Sequence, residues 1–152
     1  MKKNNYLKFG IMMAVSFVIM YAVMFFNVAS LNHIMLSYMR TYMTVLMIAP
    51  MAIVMLLFMW KMYENKKLNY GILVVSVVVF GLFFTMERSQ TAIGDIQYMK
   101  AMIPHHSSAI LTSSKADLKD PEVKKLAEEI IKAQEKEIAM MKSILKRLEE
   151  EK

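Results

Sequence analysis

The chain has 152 residues, 57% of them hydrophobic, with 18 methionines and no cysteine. That composition is too apolar for an ordinary soluble domain and leaves neither disulfides nor thiolate metal sites. The net charge of +6 resides in residues 1–86, which carry seven Lys and Arg against one Glu, while the remainder balances; an excess confined to the flanks of apolar runs argues for membrane topology and against nucleic acid as a partner.

Uncharged runs occupy residues 9–39, 41–60 and 68–86. Each reaches the roughly 18 residues a helix needs to cross a hydrocarbon core of ~30 Å. Three transmembrane helices are therefore expected near 8–30, 42–61 and 69–86, in a membrane region 1–87. Lys2, Lys3 and Lys8 precede the first span and Lys61, Lys66 and Lys67 separate the other two, whereas the first loop carries only Arg40. Positive-inside bias predicts a cytoplasmic N-terminus in a bacterial-type inner membrane, with the C-terminal domain periplasmic or otherwise extracytoplasmic. A cleaved signal peptide is the rival reading of the first span; its length and the poor cleavage site at Asn27-Val28-Ala29 favour an uncleaved anchor.

Met35, Met39, Met43, Met47, Met51, Met55 and Met59 recur every four residues. On a helix of 3.6 residues per turn this ladder drifts about 40° per step, so one straight face cannot hold all seven. Adaptable packing along an i±4 ridge is the plain explanation. A thioether path for Cu(I) is the sharper one, and His33, Met35 and Met39 at its outer end form a candidate accessory site.

Residues 88–94 (RSQTAIG) read as a linker, and 95–152 as an extracytoplasmic domain. A helix is expected from about Asp95 to Leu118, a break at 119–121, and a second helix with Asp120 as N-cap and Pro121 at its first position. In that second helix Val123, Leu126, Ala127, Ile130, Ile131, Ile138, Met141, Leu145 and Leu148 form a broad apolar stripe. The fold class is thus all-α: three transmembrane helices, then an antiparallel helical hairpin. So small a hairpin cannot bury both its stripes, and pairing two of them into a four-helix bundle would, so a homodimer or other homo-oligomer is expected beside the lipid membrane.

The stretch YMKAMIPHHSSAI, residues 98–110, carries the chemistry. Met99, Met102 and His106 stand at i, i+3 and i+7 and share one helical face, while His105 points about 100° away. Pro104 disturbs the preceding turn and gives His105 a route into the same site. Methionine at helical spacing is commonly core filler. Two methionines and two histidines around an interior proline, which alone costs about 3 kcal/mol, are harder to explain by packing. Met140 and Met141 lie where an antiparallel partner would approach Met99 and Met102. Glu137 and Gln134 interrupt the apolar stripe, either as a buried polar network or, with Asp95, as supports that orient the histidines. Thioether and imidazole suit Cu(I), with Ag(I) as its mimic; Zn(II) or Cu(II) held by the histidines and Asp95 is the rival.

Residues 95–145 resemble the ferritin-like family to which the CopM-type copper-binding proteins belong. The resemblance rests on Asp95, Tyr98-Met99, Met102-Ile103-Pro104-His105-His106, Ala109-Ile110, Asp120-Pro121-Glu122, Leu126-Ala127, Ile130-Ile131, Gln134 and Glu137-Ile138. It covers about a third of the chain and implies a ferritin-like half-bundle that binds copper outside the cytoplasm and serves copper tolerance. Ser107 and Thr112 depart from the family pattern, which often has Gln and Met there.

Three functional classes follow. The first is non-enzymatic capture of copper, as Cu(I), through Met99, Met102, His105, His106 and Met141. An enzyme on the same scaffold is disfavoured, because neither histidine has the Glu-x-x-His spacing of di-iron bundles, and Ser107 or Ser108 beside a histidine on one helix is not a nucleophile–base pair. The third class is a metal-independent membrane interaction or dimerisation module.

Overall fold

The computed structural model describes residues 3–151. Within them the protein is all-α: α1 (Lys3–Val23), α2 (Tyr38–Phe58), α3 (Lys66–Arg88), α4 (Asp95–Lys115) and α5 (Pro121–Glu150), with one 3-10 turn at Leu31–His33 and no strand. Three stretches, Asn5–Val23, Tyr38–Phe58 and Lys66–Arg88, are long and apolar enough to cross a membrane.

The described residues fall into two compact units. One comprises the chain through Val23 together with residues 39–91. Its core cluster gathers Phe9, Ala52, Leu56 and Tyr63, with Met13, Met55 and Met59 packed against it. A polar network closes one end. Asn69 is fully buried in α3; it accepts from the Tyr6 hydroxyl at 2.8 Å and donates to the Tyr63 carbonyl at 2.8 Å. Asn65 caps α3 by accepting from the Leu68 amide at 3.1 Å. A buried amide is costly unless both its donor and acceptor are used, and here each has a partner.

The second unit comprises residues 24–38 and 92–152. Residues 24–38, expected with the membrane region, thus group by contacts with the tail. The first span, too, is corrected: it ends at Val23 rather than near residue 30. The physical reason is a competing set of partners. Asn27 donates to Ser108 Oγ at 2.9 Å and the Ala29 amide to Ser107 Oγ at 2.8 Å, so backbone that might have continued a helix is bonded to α4 instead.

The hairpin itself is α4 against α5. Asp120 accepts from the amides of Glu122 and Val123 at 2.8 and 3.1 Å, with Pro121 opening α5. The helix thus begins where two of its orphan amides find an oxygen. α4 stops at Lys115, three residues short of the expected end, because Ala116 turns extended (φ −65°, ψ 135°). The stripe on α5 is only partly covered: Ala127, Ile138 and Leu145 are buried, whereas Val123 and Leu126 are exposed.

Candidate metal centre

The hairpin's register is visible in two cross-helix pairs. Lys100 Nζ lies 2.7 Å from Glu149 Oε1, and six residues on, His106 Nδ1 lies 3.0 Å from Glu137 Oε2. Between them runs the apolar core of Met99, Ile103, Ile138 and Leu145, with Met141 and Met35 packed against it. Met99 is 5% exposed. Its first role is therefore packing, with its thioether at the dry edge of the cluster rather than on the surface.

Relative to the fully buried Ile103, helical geometry turns Met99, His106 and Met102 to about 40°, 60° and 100° on the same side. Glu137 stands on the matching side of α5. His106 is half-buried, and its buried Nδ1 faces the Glu137 carboxylate without the alignment of a full hydrogen bond. A carboxylate beside one ring nitrogen, with the other nitrogen left over, is the arrangement found behind many metal-bound imidazoles. Met102, half-buried one turn earlier, supplies thioether sulfur on that face.

The remaining predicted residues are placed differently. His105 is exposed, with its ring centroid 6.0 Å from that of His106 at an interplanar angle of 63°. α4 continues through Pro104, which is itself fully buried, so the proline packs into the unit without turning His105 inward. Met141 joins the core cluster, but its neighbour Met140 is 54% exposed, a consequence of the 100° step between adjacent residues. Gln134 is half-buried on α5 one turn before Glu137. Asp95 is exposed in the first turn of α4, where its charge suits the helix N-terminus. Eleven residues separate it from His106, or about 16 Å of helix rise, too far to orient that ring.

The opposite side of the hairpin is occupied by residues 24–38. His33 Nδ1 lies 2.8 Å from Ser107 Oγ, the same oxygen that accepts from the Ala29 amide. Burial, and then the charge of Lys142, hold the His33 imidazole below its ordinary value of 6.5. A serine hydroxyl beside an imidazole is the opening pair of many nucleophilic sites, yet Ser107 has no exposed surface and its oxygen is already taken. Its role here is structural, as the anchor of the first loop. Along His33, Ile34, Met35, Leu36 and Ser37, burial alternates residue by residue, so His33, Met35 and Ser37 turn toward the hairpin. Met39 belongs to the other unit. Nothing local in the sequence marks Ser107 as the anchor of this loop, because the alternation along 33–37 is one of burial and not of residue type.

Among the described residues no three His, Cys, Asp or Glu side chains converge as a metal site. Within the hairpin, Glu137 stands beside the His106 ring, and Met99 and Met141 pack in one cluster.

Residues 95–152 match a family model described as "Domain of unknown function (DUF305)", a ferritin-like type of domain. The chain is also 39% identical over 107 residues to "Uncharacterized protein L153" of Acanthamoeba polyphaga mimivirus, an alignment covering 68% of each chain. No solved structure matches.

Proposed function

Because the chain belongs to the family described as Domain of unknown function (DUF305), we propose that its hairpin is the working part of a membrane-anchored, non-enzymatic copper-binding protein. The cargo is Cu(I), captured through His106 Nε2, Met102 and the thioethers of Met99 and Met141, with the exposed His105 as an outer ligand. Copper tolerance is the role this chemistry serves. The single observation that carries the reading is the His106–Glu137 contact at 3.0 Å. It sets one ring nitrogen against a carboxylate, so that Nε2 is the nitrogen left to a metal. Cu(I) accepts thioether and imidazole readily, whereas Zn(II) and Cu(II) ask for more nitrogen and oxygen donors than this face offers.

In this reading the N-terminus is cytoplasmic, and the hairpin and first loop are extracytoplasmic. The exposed Val123, Leu126 and Met140 on α5 favour a second copy as partner, completing a four-helix bundle. They are also the observation behind the second reading, a metal-independent dimerisation module.

The test is competition between the purified full chain, in detergent, and a chromophoric Cu(I) chelator under reducing conditions. A variant combining His105→Ala and His106→Ala is expected to lose Cu(I) binding. Equal binding by the two proteins would remove the site assignment. Repeating the titration with Cu(II) and Zn(II) ranks the metals, and loss of self-association without loss of metal in a Leu126→Lys variant separates dimerisation from capture.

A further inference from the structure

We propose that the outward side of residues 24–38 is a docking surface for the phospholipid bilayer, with Phe26, Leu31, Ile34 and Leu36 seated in the interfacial layer. These side chains are 79%, 82%, 41% and 68% exposed. Ile34 and Leu36 alternate with Met35 and Ser37, which turn toward the hairpin, as successive side chains of extended backbone must, while Phe26 and Leu31 stand exposed on the turns before them. The loop therefore has one side already used and another on which these apolar side chains stand bare beside the exposed Asn32.

Connectivity names the occupant of the bare face. Both ends of the loop run into helices long and apolar enough to span a membrane, Asn5–Val23 before it and Tyr38–Phe58 after it. At about 3.5 Å per residue, Phe26 lies within about 10 Å of the end of α1 and Leu36 within about 7 Å of the start of α2. The polar layer of a leaflet is roughly 5–8 Å thick, so both residues are held at its depth. Between residues 24 and 38 there is no Asp, Glu, Lys or Arg, so seating the loop there desolvates no fixed charge. Tyr38, 51% exposed, is the kind of aromatic that favours this layer. The exposed Val123 and Leu126 of α5 have no comparable tether.

The consequence is that the hairpin unit rides on the membrane through its own loop, whatever metal it holds. A cysteine-free chain makes the test clean. Single variants Phe26→Cys, Leu31→Cys and Leu36→Cys, with Asp117→Cys at the hairpin turn as the aqueous reference, are spin-labelled in the full chain and reconstituted in phosphatidylcholine–phosphatidylglycerol vesicles. All four positions are exposed, so the core is unaltered. Labels at 26, 31 and 36 are expected to collide more with oxygen than with a water-soluble nickel chelate, and the label at 117 the reverse. Leu31, at the centre of the loop, decides. Dominance of the nickel chelate at 31 overturns the proposal in favour of water. Exclusion of both reagents, with dipolar broadening between copies, overturns it in favour of a second chain.

Discussion

Methionines stand in two regions of this chain, and what accompanies them differs. Met55 in α2 and Met59 just past its end pack against the cluster of Phe9, Leu56 and Tyr63, while Met43 and Met47 are 40% and 38% exposed at consecutive turns. That helix contains no histidine or acidic residue. In the hairpin, Met99 belongs to a core of comparable size and Met141 packs against it, but here His106 follows on the Met99 side of α4, with the Glu137 carboxylate 3.0 Å from its ring. Thioether sulfur is a weak ligand alone, so the same residue type fills space in one region and, under the proposed function, would present a donor in the other. The lesson is that spacing nominates methionines, and an oriented imidazole selects among them.

The comparison is broken most directly by exchanging sulfur for carbon. Met99→Leu, Met102→Leu and Met141→Leu together preserve volume, at a stability cost under about 1.5 kcal/mol per site, and are expected to lower Cu(I) affinity by more than about a hundredfold, since several ligands go at once. Met43→Leu, Met47→Leu, Met55→Leu and Met59→Leu together are expected to leave affinity unchanged in the same chelator competition. If the ladder variant loses copper, the contrast between the regions fails. A smaller effect sharpens it: Glu137→Gln removes the charge behind His106 and should cost about 10- to 100-fold in affinity, with the thioether ligands untouched.

Smaller still is Asp120→Ala, which removes the cap of α5 and should cost about 1 kcal/mol in a denaturant melt, leaving the affinity of folded protein as it was. The least effect concerns His33. Its imidazole is held below 6.5 by burial and by Lys142, so the folded state takes up the proton less readily than the unfolded chain. The hairpin unit should keep its full stability above pH 6.5 and lose some as the pH falls through the lowered value. Melting temperatures of metal-free protein across that range, beside His33→Gln, check the sign: the variant should be flatter.

Much of the fold is legible in the sequence because hydropathy and capping are local. Three uncharged runs announce three long apolar helices, and Asp120 with Pro121 marks the start of α5 to the residue. The common side of Met99, Met102 and His106 follows from helical period alone, and Glu137 stands out as a charge interrupting an apolar stripe. The first loop is not legible in this way. Residues 24–38 are uncharged and apolar, and hydropathy cannot separate chain bound for lipid from chain bound for a protein surface. The partner that decides, Ser107, lies 78 residues beyond Ala29. His105 and Asp95 miss the ring of His106 for geometric reasons, one through helix continuity across Pro104 and the other through distance along the axis. Met140 fails by a single residue's rotation.

That separation between Ala29 and Ser107 also sets an order of assembly. At a synthesis rate of 5–20 residues per second, 78 residues occupy roughly 4–16 s. During that interval the first two spans have emerged from the ribosome and the loop between them has no hairpin to receive it. The loop is a half-built socket awaiting its plug. A nascent chain halted before α4 would expose His33, Met35 and Ser37 to whatever chaperone or protease patrols the membrane surface.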